Sequence, residues 1–300
     1  MDFITGHYGE FAALLVAFFW TVSALAFESA SRKVGSLAVN ILRLVAGFLF
    51  LSIFTFIRRK LFFPIDASAE NWLWLVLSGL VGFVFGDLFL FKAFTVIGSR
   101  FSMLLMTLVP PITAFFGWII LGERLTLIHL FGMALTFTGI AMAIFNRKSE
   151  GEKLSLKLAP SGILYALGGA VGQALGLILS KLGVRDYDPF SATQIRIIAG
   201  IAGFSALITV MGRWSSVKNA FKNMAAMKSL TLGAFFGPFL GVSFSLVAVM
   251  FTEAGIASTI MALVPIFIII PSAIIYKDRI RPAEVVGTII SVGGVALFFL

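Results

Sequence analysis

Long apolar stretches alternate with short polar segments along the whole chain. Each stretch has about 20 residues, the length that an α-helix needs to cross the hydrocarbon layer of a bilayer, roughly 30 Å thick. The apolar residues are continuous and show no period-two alternation, so the pattern predicts helices and not barrel strands. Ten such spans are predicted, at about residues 10–30, 36–57, 71–94, 99–121, 126–145, 160–182, 190–212, 228–250, 256–276 and 283–300.

The second half of the chain repeats the first. Arg43 and Gly47 recur as Arg196 and Gly200 at an offset of 153. A larger set recurs at an offset of 155, in which Gly82, Gly86, Leu108-Val109-Pro110, Glu123-Arg124, Gly132 and Gly139 correspond to Gly237, Gly241, Leu263-Val264-Pro265, Asp278-Arg279, Gly287 and Gly294. Chance seldom keeps Pro, Arg and Gly in phase over such a distance. The chain therefore contains two copies of one unit.

Each copy holds five of the ten spans. Because five is odd, the second copy must enter the membrane from the opposite side. The predicted fold is an all-α polytopic membrane protein with ten transmembrane helices in two inverted five-helix repeats. The first repeat is 1–145, the linker is 146–159 and the second repeat is 160–300. Inverted repeats are typical of secondary transporters, whose binding sites lie near the midplane.

Composition agrees with a membrane protein and narrows the chemistry. The chain is 59% hydrophobic and 12% charged, whereas soluble chains carry about 25% charge. The net charge of +9 sits mostly in loops, where it indicates topology and anionic headgroups and not nucleic acid. There is no cysteine, and His7 and His129 lack partners at metal-ligand spacing. We therefore expect no metal site and no cofactor; a monomer and a homodimer are both compatible with the sequence.

Lys and Arg in the loops bear on orientation. Ten spans place both termini on one side, together with six basic residues: Arg58, Arg59, Lys60, Arg124, Lys181 and Arg185. The other side carries fourteen. Because basic loops favour the cytoplasm, this count alone places the termini outside.

Charged residues inside the spans are the first candidates for function. A charge at the centre of a membrane helix costs about 2.5–3.5 kcal/mol on insertion scales, so it needs a partner or a cavity. Arg43 lies seven residues into span two, and Asp87 lies seven residues from the end of span three, at the same predicted depth. We predict that they form a buried ion pair, either structural or coupled to a proton. Glu28, Lys92, Lys181 and Glu253 lie near span ends, where interfacial side chains are expected.

Three further residues are candidates for substrate binding. Trp20 lies at the middle of span one, and its repeat counterpart is Gln173 near the centre of span six. An indole and an amide at matched positions suit a small amphipathic solute, although packing against glycine faces is an equal alternative. Arg196 is the counterpart of Arg43, but Val242 stands where the first copy has Asp87. Arg196 is therefore expected to attract an anionic group, with hydrogen bonds to helix carbonyls as the alternative.

The duplicated motifs resemble the drug/metabolite transporter superfamily, in particular its ten-helix members with two EamA domains. The resemblance covers essentially the whole chain. It rests on Arg43, Gly86-Asp87-Leu88, Leu108-Val109-Pro110, Leu121-Gly122-Glu123-Arg124-Leu125 and Gly132, and on Leu263-Val264-Pro265, Lys277-Asp278-Arg279-Ile280 and Gly287. The second copy departs from the family pattern at Lys277-Asp278, where Gly-Glu is usual.

This resemblance implies a multi-pass protein of the plasma (inner) membrane that moves small organic solutes, often by exporting amino acids or other metabolites. It also implies a central cavity built mainly from spans one to four and six to nine. Its members generally have both termini in the cytoplasm, which conflicts with the Lys and Arg count, so orientation stays open.

Two other functional classes remain as alternatives to a transporter of small molecules. A non-transporting membrane sensor or partner protein would share the same spans. An intramembrane aspartyl protease would need two acids at one depth, but Gly86-Asp87 lies in a helix and Tyr187-Asp188 in a loop, in reversed order. Acids that far apart cannot share a proton. We therefore expect no catalytic residues.

Overall fold

The computed structural model describes residues 6–145, 160–269 and 282–300, with residues 271 and 274. These residues form helices and short connections, and no strand occurs among them. The α-helices are α1 Tyr8–Val34, α2 Ser36–Arg59, α3 Ala69–Gly79, α4 Asp87–Met106, α5 Val109–Phe116, α6 Leu127–Phe145, α7 Pro160–Val184, α8 Pro189–Val210, α9 Trp214–Ala220, α10 Met224–Ala234, α11 Val242–Phe251, α12 Ala254–Met261, α13 Val264–Phe267 and α14 Pro282–Ala296.

All ten predicted spans correspond to apolar helical segments. Seven segments in the described residues are long and apolar enough to cross a membrane: Tyr8–Val34, Ser36–Arg59, Ala69–Leu90, Pro160–Val184, Pro189–Val210, Met224–Phe251 and Pro282–Phe299. The other three are shorter: Val109–Leu121, Leu127–Ala143 and Ala254–Phe267. The predicted linker 146–159 and the motif at 277–280 lie outside the described residues.

Irregular helix geometry recurs in both halves at the repeat offset. A π-helical segment, Leu80–Gly86, joins α3 to α4, and a second, Phe235–Gly241, joins α10 to α11. The two are 155 residues apart. The chain also leaves the helix at 107–108 and again at 262–263, each time just before a Val-Pro pair that begins the next helix. The duplication thus extends to the positions at which the backbone departs from an α-helix.

The boundary between spans three and four differs from the prediction. The sequence pattern placed it at 95–98, whereas α4 continues unbroken to Met106 and the break falls at 107–108. Residues 95–98 contain no proline. Pro110 and Pro111 instead begin α5, where a missing amide proton costs no hydrogen bond, and this places the interruption immediately before them.

The crossing of α6 and α14 shows the inverted symmetry directly. Thr136 Oγ1 donates to the carbonyl of Ser291 at 3.4 Å, and Ser291 Oγ donates to the carbonyl of Thr136 at 3.3 Å. Residue 291 is the repeat mate of residue 136. On either side of this contact, Gly132 faces Gly294 and Gly139 faces Gly287, so the two helices run antiparallel. These two glycine contacts are related to each other by the repeat. A pseudo-two-fold axis therefore passes through the contact between Thr136 and Ser291, in the membrane plane.

At the centre of the bundle, one helix of each half packs against helices of the other half. Helix α7 of the second half packs along α3 and α4 of the first, with Gly176 against Gly82 and Gly172 against Gly86. Helix α1 of the first half packs in the same way against Phe235–Gly241, where Gly237 faces Ser23. Small residues let the helix backbones approach closely, which is a main source of packing in lipid. The interface between the repeats consequently lies at the middle of the molecule.

Replacing Gly139 by alanine should destabilise the protein. A Cβ at residue 139 would lie 2.4 Å from Ser291 Oγ and 2.5 Å from the Gly287 carbonyl oxygen, so α6 and α14 would have to separate. Overpacking of this kind costs about 1–3 kcal/mol. The measurement is the melting temperature of purified Gly139→Ala in detergent. Gly293→Ala is the matched control, since its Cβ would meet no atom within 4 Å; equal melting temperatures for the two variants would contradict the packing argument.

Candidate functional site

An ion pair with a third polar partner lies at the interface of the two halves. Arg43 Nη2 on α2 contacts Asp87 Oδ2 at 2.5 Å, so the structure places the predicted pair in contact. Asp87 Oδ1 accepts a hydrogen bond from Gln173 Nε2 on α7 at 3.0 Å. Arg43 and Asp87 belong to the first half and Gln173 to the second. We call these three side chains the central polar cluster.

Local backbone geometry positions this cluster. Asp87 is the first residue after the π-helical segment Leu80–Gly86, and such segments interrupt the regular hydrogen bonding of a helix, frequently at functional sites. Gln173 Nε2 also donates to the carbonyl of Gly82 within that segment, at 3.2 Å. A Cβ at Gly86 would lie only 3.1 Å from Gln173 Nε2, so the glycine gives the amide access to Asp87.

The carboxylate of Asp87 is largely removed from solvent, and its residue is 7% exposed. Its charge is compensated by the Arg43 guanidinium, which also lies over the Phe27 ring at 5.5 Å. A buried pair of this kind is held by mutual neutralisation, and removing one partner leaves an uncompensated charge. The cluster can therefore stabilise the bundle, and a proton on Asp87 would release Arg43.

Trp20 and Gln173 make equivalent contacts across the interface. Trp20 of the first half packs on Gly241 of the second, and Gln173 of the second half packs on Gly86 of the first. A Cβ at Gly241 would lie 2.5 Å from Trp20 Nε1, just as Gly86 faces Gln173. Both Trp20 and Gln173 are partly exposed. The glycine packing that the sequence offered as an alternative is therefore present at both positions, and binding of a solute by these two residues stays a prediction.

Arg196 on α8 is buried, and none of the described acidic residues forms an ion pair with it. It is 5% exposed, and its Nε and Nη1 atoms have no hydrogen-bond acceptor in the part of the chain that the structure describes. Its guanidinium lies over the Phe83 ring at 4.9 Å. A Cβ at Gly82 would lie 3.6 Å from Arg196 Nη2, so Arg196 and Gln173 flank the same glycine.

Lys181 belongs to a second polar group, which the sequence analysis missed. It was expected to lie at the lipid interface, but its Nζ pairs with Glu123 Oε1 at 2.7 Å and donates to the Thr252 carbonyl at 2.6 Å. Glu123 Oε2 accepts the amide of Ala254, the first residue of α12, at 2.9 Å. The expectation was wrong because Glu123 lies at the same depth as Lys181 and pairs with it. The signal for this contact was the acid of the duplicated Glu123-Arg124 motif.

The loops on the side of the termini also join the two halves. Asp188 of the second half pairs with Arg58 of the first, and it caps α8 by accepting the amide of Ser191. Tyr187 Oη donates to Asp66 Oδ1 at 2.9 Å, and Asp66 also pairs with Arg59. Burial opposes ionisation of Asp66, but the hydrogen bonds from Tyr187 and Arg59 outweigh it and lower the pKa of Asp66. Burial and the bond to Asp66 raise the pKa of Tyr187 to about 12.

These contacts have a common consequence. The pairs between Glu123 and Lys181, Arg58 and Asp188, and Glu70 and Arg185 each link one half to the other on the side of the termini. That side of the interface is therefore held together in this structure. Within the described residues, no cluster of three or more potential metal ligands is present.

Comparison with known proteins assigns the class. The EamA-like transporter family matches residues 7–145 and 160–300, and the chain belongs to this family. It therefore falls in the drug/metabolite transporter superfamily, as the duplicated motifs indicated.

Individual relatives are more distant. An uncharacterized transporter, YvbV of Bacillus subtilis, is 26% identical over 63% of this chain and 59% of its own length. Solute carrier family 35 member G1 of Mus musculus is 26% identical over 69% and 56%. The chain thus spans little more than half the length of these relatives. One solved crystal structure has a TM-score of 0.73 at 17% identity, covering 98% of this chain and 96% of that one, and it supports the fold alone.

The central ion pair should show strong energetic coupling. Asp87→Asn and Arg43→Gln should each lower folded yield and melting temperature, since breaking a buried pair costs about 3–5 kcal/mol. The double variant should recover part of the loss, because neither charge is then stranded. Melting temperatures of the four proteins in detergent form a double-mutant cycle. Additive losses in the double variant would show that the two side chains do not stabilise each other.

Proposed function

We propose that this protein is a secondary transporter that moves a small organic metabolite, an amino acid or similar solute, across the plasma membrane by alternating access. The supporting observation is a charged cluster at the interface of two inverted halves, with Arg43 and Asp87 contributed by one half and Gln173 by the other. Transporters with inverted repeats bind their solute at this kind of interface. The moving units are 1–145 and 160–300, joined by 146–159, and export is the proposed direction.

Trp20 and Gln173 are the proposed solute contacts at the interface. Each is partly exposed and packs on a glycine of the opposite half, at Gly241 and Gly86. Rocking of one half against the other would change the distance between each side chain and its glycine. The same motion would thus open or close the space around a solute that touches the indole or the amide.

Asp87 is the proposed site of proton coupling. Its carboxylate is the acid of the central polar cluster and contacts Arg43 at 2.5 Å. When movement between the halves pulls Arg43 away, the carboxylate in lipid becomes costly and takes a proton. Protonation on one side and release on the other would link solute flux to the proton gradient.

Flux in proteoliposomes tests both parts of this proposal. Purified protein should accelerate release of at least one solute from a panel of amino acids, nucleosides and organic cations, and an imposed pH gradient should change the rate. Asp87→Asn should lose that response to the gradient. The double variant Arg43→Gln with Asp87→Asn serves as the folding control.

The other classes give different results in this assay. Full pH dependence of flux in Asp87→Asn would remove proton coupling. Solute binding without flux would favour a sensor or partner protein. A protease is disfavoured because Asp87 pairs with Arg43 whereas Asp188 pairs with Arg58, in separate ion pairs.

The ion pair of Lys181 with Glu123 is the proposed latch on the side of the termini. Lys181→Gln should weaken closure there, because Glu123 Oε1 and the Thr252 carbonyl both lose their contact with the ammonium group. The chain has no cysteine, so a single cysteine at Leu177, one turn from Lys181, can report access. Its labelling by a membrane-impermeant maleimide from the side of the termini should rise several-fold.

Two control variants in the same Leu177→Cys background complete this test. Lys181→Arg keeps the charge and should label slowly. Arg185→Gln removes an exposed pair with Glu70, which contributes about 0–1 kcal/mol, and should also label slowly. Unchanged labelling in Lys181→Gln would remove the latch.

A further inference from the structure

Among the residues that the structure describes, the charges around Gly82 do not balance. Arg43 and Arg196 carry two positive charges, and Asp87 is the acid that neutralises Arg43. Arg196 lies beside the same cluster, since its Nη2 would lie 3.6 Å from a Cβ at Gly82 and Gln173 donates to the Gly82 carbonyl, yet no described acid reaches Arg196. Among the described residues, the polar groups around Gly82 therefore hold one positive charge in excess, at a place where an unpaired charge is costly.

Two donor atoms of the Arg196 guanidinium are buried without an acceptor among the described residues. Nε and Nη1 have no acceptor among the described residues, although a buried donor without a partner costs about 1–3 kcal/mol, and more when it is charged. The structural alternative, in which the guanidinium bonds helix carbonyls, is not realised at these two atoms. Phe83 covers one face of the guanidinium at 4.9 Å, which leaves the edge with its donors for a planar acceptor.

Space beside the guanidinium is kept by a glycine. A Cβ at Gly82 would lie 3.6 Å from Arg196 Nη2 and 3.5 Å from Gly176 Cα, which are ordinary contact distances. An alanine would therefore fit there without a clash, and the glycine leaves a methyl-sized gap next to Nη2. This differs from Gly176, where a Cβ would lie 2.7 Å from Gly82 Cα. Packing requires glycine at 176, but it does not require glycine at 82.

We propose that Arg196 binds the carboxylate of the transported solute, at a subsite formed with Phe83 and Gly82. This rests on the proposed function and narrows its substrate to carboxylate-bearing solutes. The fork of guanidinium N–H groups matches a carboxylate in geometry and charge. When the halves move apart at Gly82, the carboxylate reaches the buried donors and neutralises the excess charge. Gln173, on the other side of Gly82, contacts the remainder of the solute.

Matched pairs of solutes test the charge requirement. The probes are leucine with leucinamide, phenylalanine with phenylalaninamide, and benzoate with benzamide, together with inorganic phosphate. Binding is measured as the shift in melting temperature of purified protein, and transport as flux in proteoliposomes. The wild type should bind and carry the acid of at least one pair and discriminate against its amide. Equal treatment of acid and amide, or a response to phosphate alone, would overturn the carboxylate site.

Variants then assign the discrimination to this subsite. Arg196→Gln should raise the Kd of the acid about 10- to 100-fold, the loss expected for hydrogen bonds to a charged group, and abolish the preference over the amide. Arg196→Lys should retain part of that preference. Gly82→Ala should weaken acid binding while leaving the melting temperature of the unliganded protein near that of the wild type, because the methyl group fills the gap without a clash.

Controls separate this inference from the proposed function and from misfolding. Arg185→Gln removes a positive charge at an exposed site and should keep the full preference for acids. If Arg196→Gln lowers flux of acid and amide equally, or only lowers stability, Arg196 is structural and the inference fails. Flux without discrimination between acid and amide would support the transporter proposal and contradict the carboxylate site. Acid-selective binding without flux would support the carboxylate site and contradict the transporter proposal.

Discussion

The close approach of α7 to the π-helical segment Leu80–Gly86 is the contact on which the interior depends. Gly176 and Gly172 meet Gly82 and Gly86 at backbone distance. A Cβ at Gly176 would lie 2.7 Å from Gly82 Cα and one at Gly172 would lie 2.8 Å from Gly86 Cα, so a larger residue at either position of α7 would displace a helix. This proximity carries Gln173 to the carboxylate of Asp87 and to the Gly82 carbonyl. Polar groups can then be paired in lipid because partners from different halves lie within hydrogen-bond distance.

Much of this arrangement could be predicted from the sequence because depth in a membrane can be counted along a helix. At about 1.5 Å per residue, Arg43 and Asp87 were predicted to lie at one level. The structure places them in contact, although α4 continues beyond the predicted end of span three. The repeat offset likewise predicts two copies, and five spans in each copy predict that the halves are inverted, as the reciprocal bonds between Thr136 and Ser291 display. The length of a span, the offset of the repeat and the position of a residue along its helix can all be read from a single sequence.

The remainder depends on which faces of the helices meet. The sequence placed Gln173 at mid-span but could not show that its amide points to Asp87. It also treated Lys181 as interfacial because Lys181 lies near a span end. Its contact with Glu123, which lies between spans four and five, depends on a direction around the helix axis that depth does not give. The break at 107–108 was predicted at the wrong position for a related reason. The length of an apolar run reflects the thickness of the membrane, whereas prolines determine where the helical hydrogen bonding stops.

The two halves have the same backbone geometry but differ in the polar side chains at matched positions. Both contain a π-helical segment at the same repeat position, yet the residue that follows is Asp87 in one and Val242 in the other. The mid-span contact on the preceding glycine is likewise an amide in one half and an indole in the other. Inverted symmetry makes the two faces of the membrane nearly equivalent for packing, so packing alone favours neither face. Among the described residues, no acid pairs with Arg196, the symmetric partner of Arg43. The electrostatic free energies of the two arrangements therefore differ, and a charged solute or a proton can shift the balance between them by supplying what one half lacks.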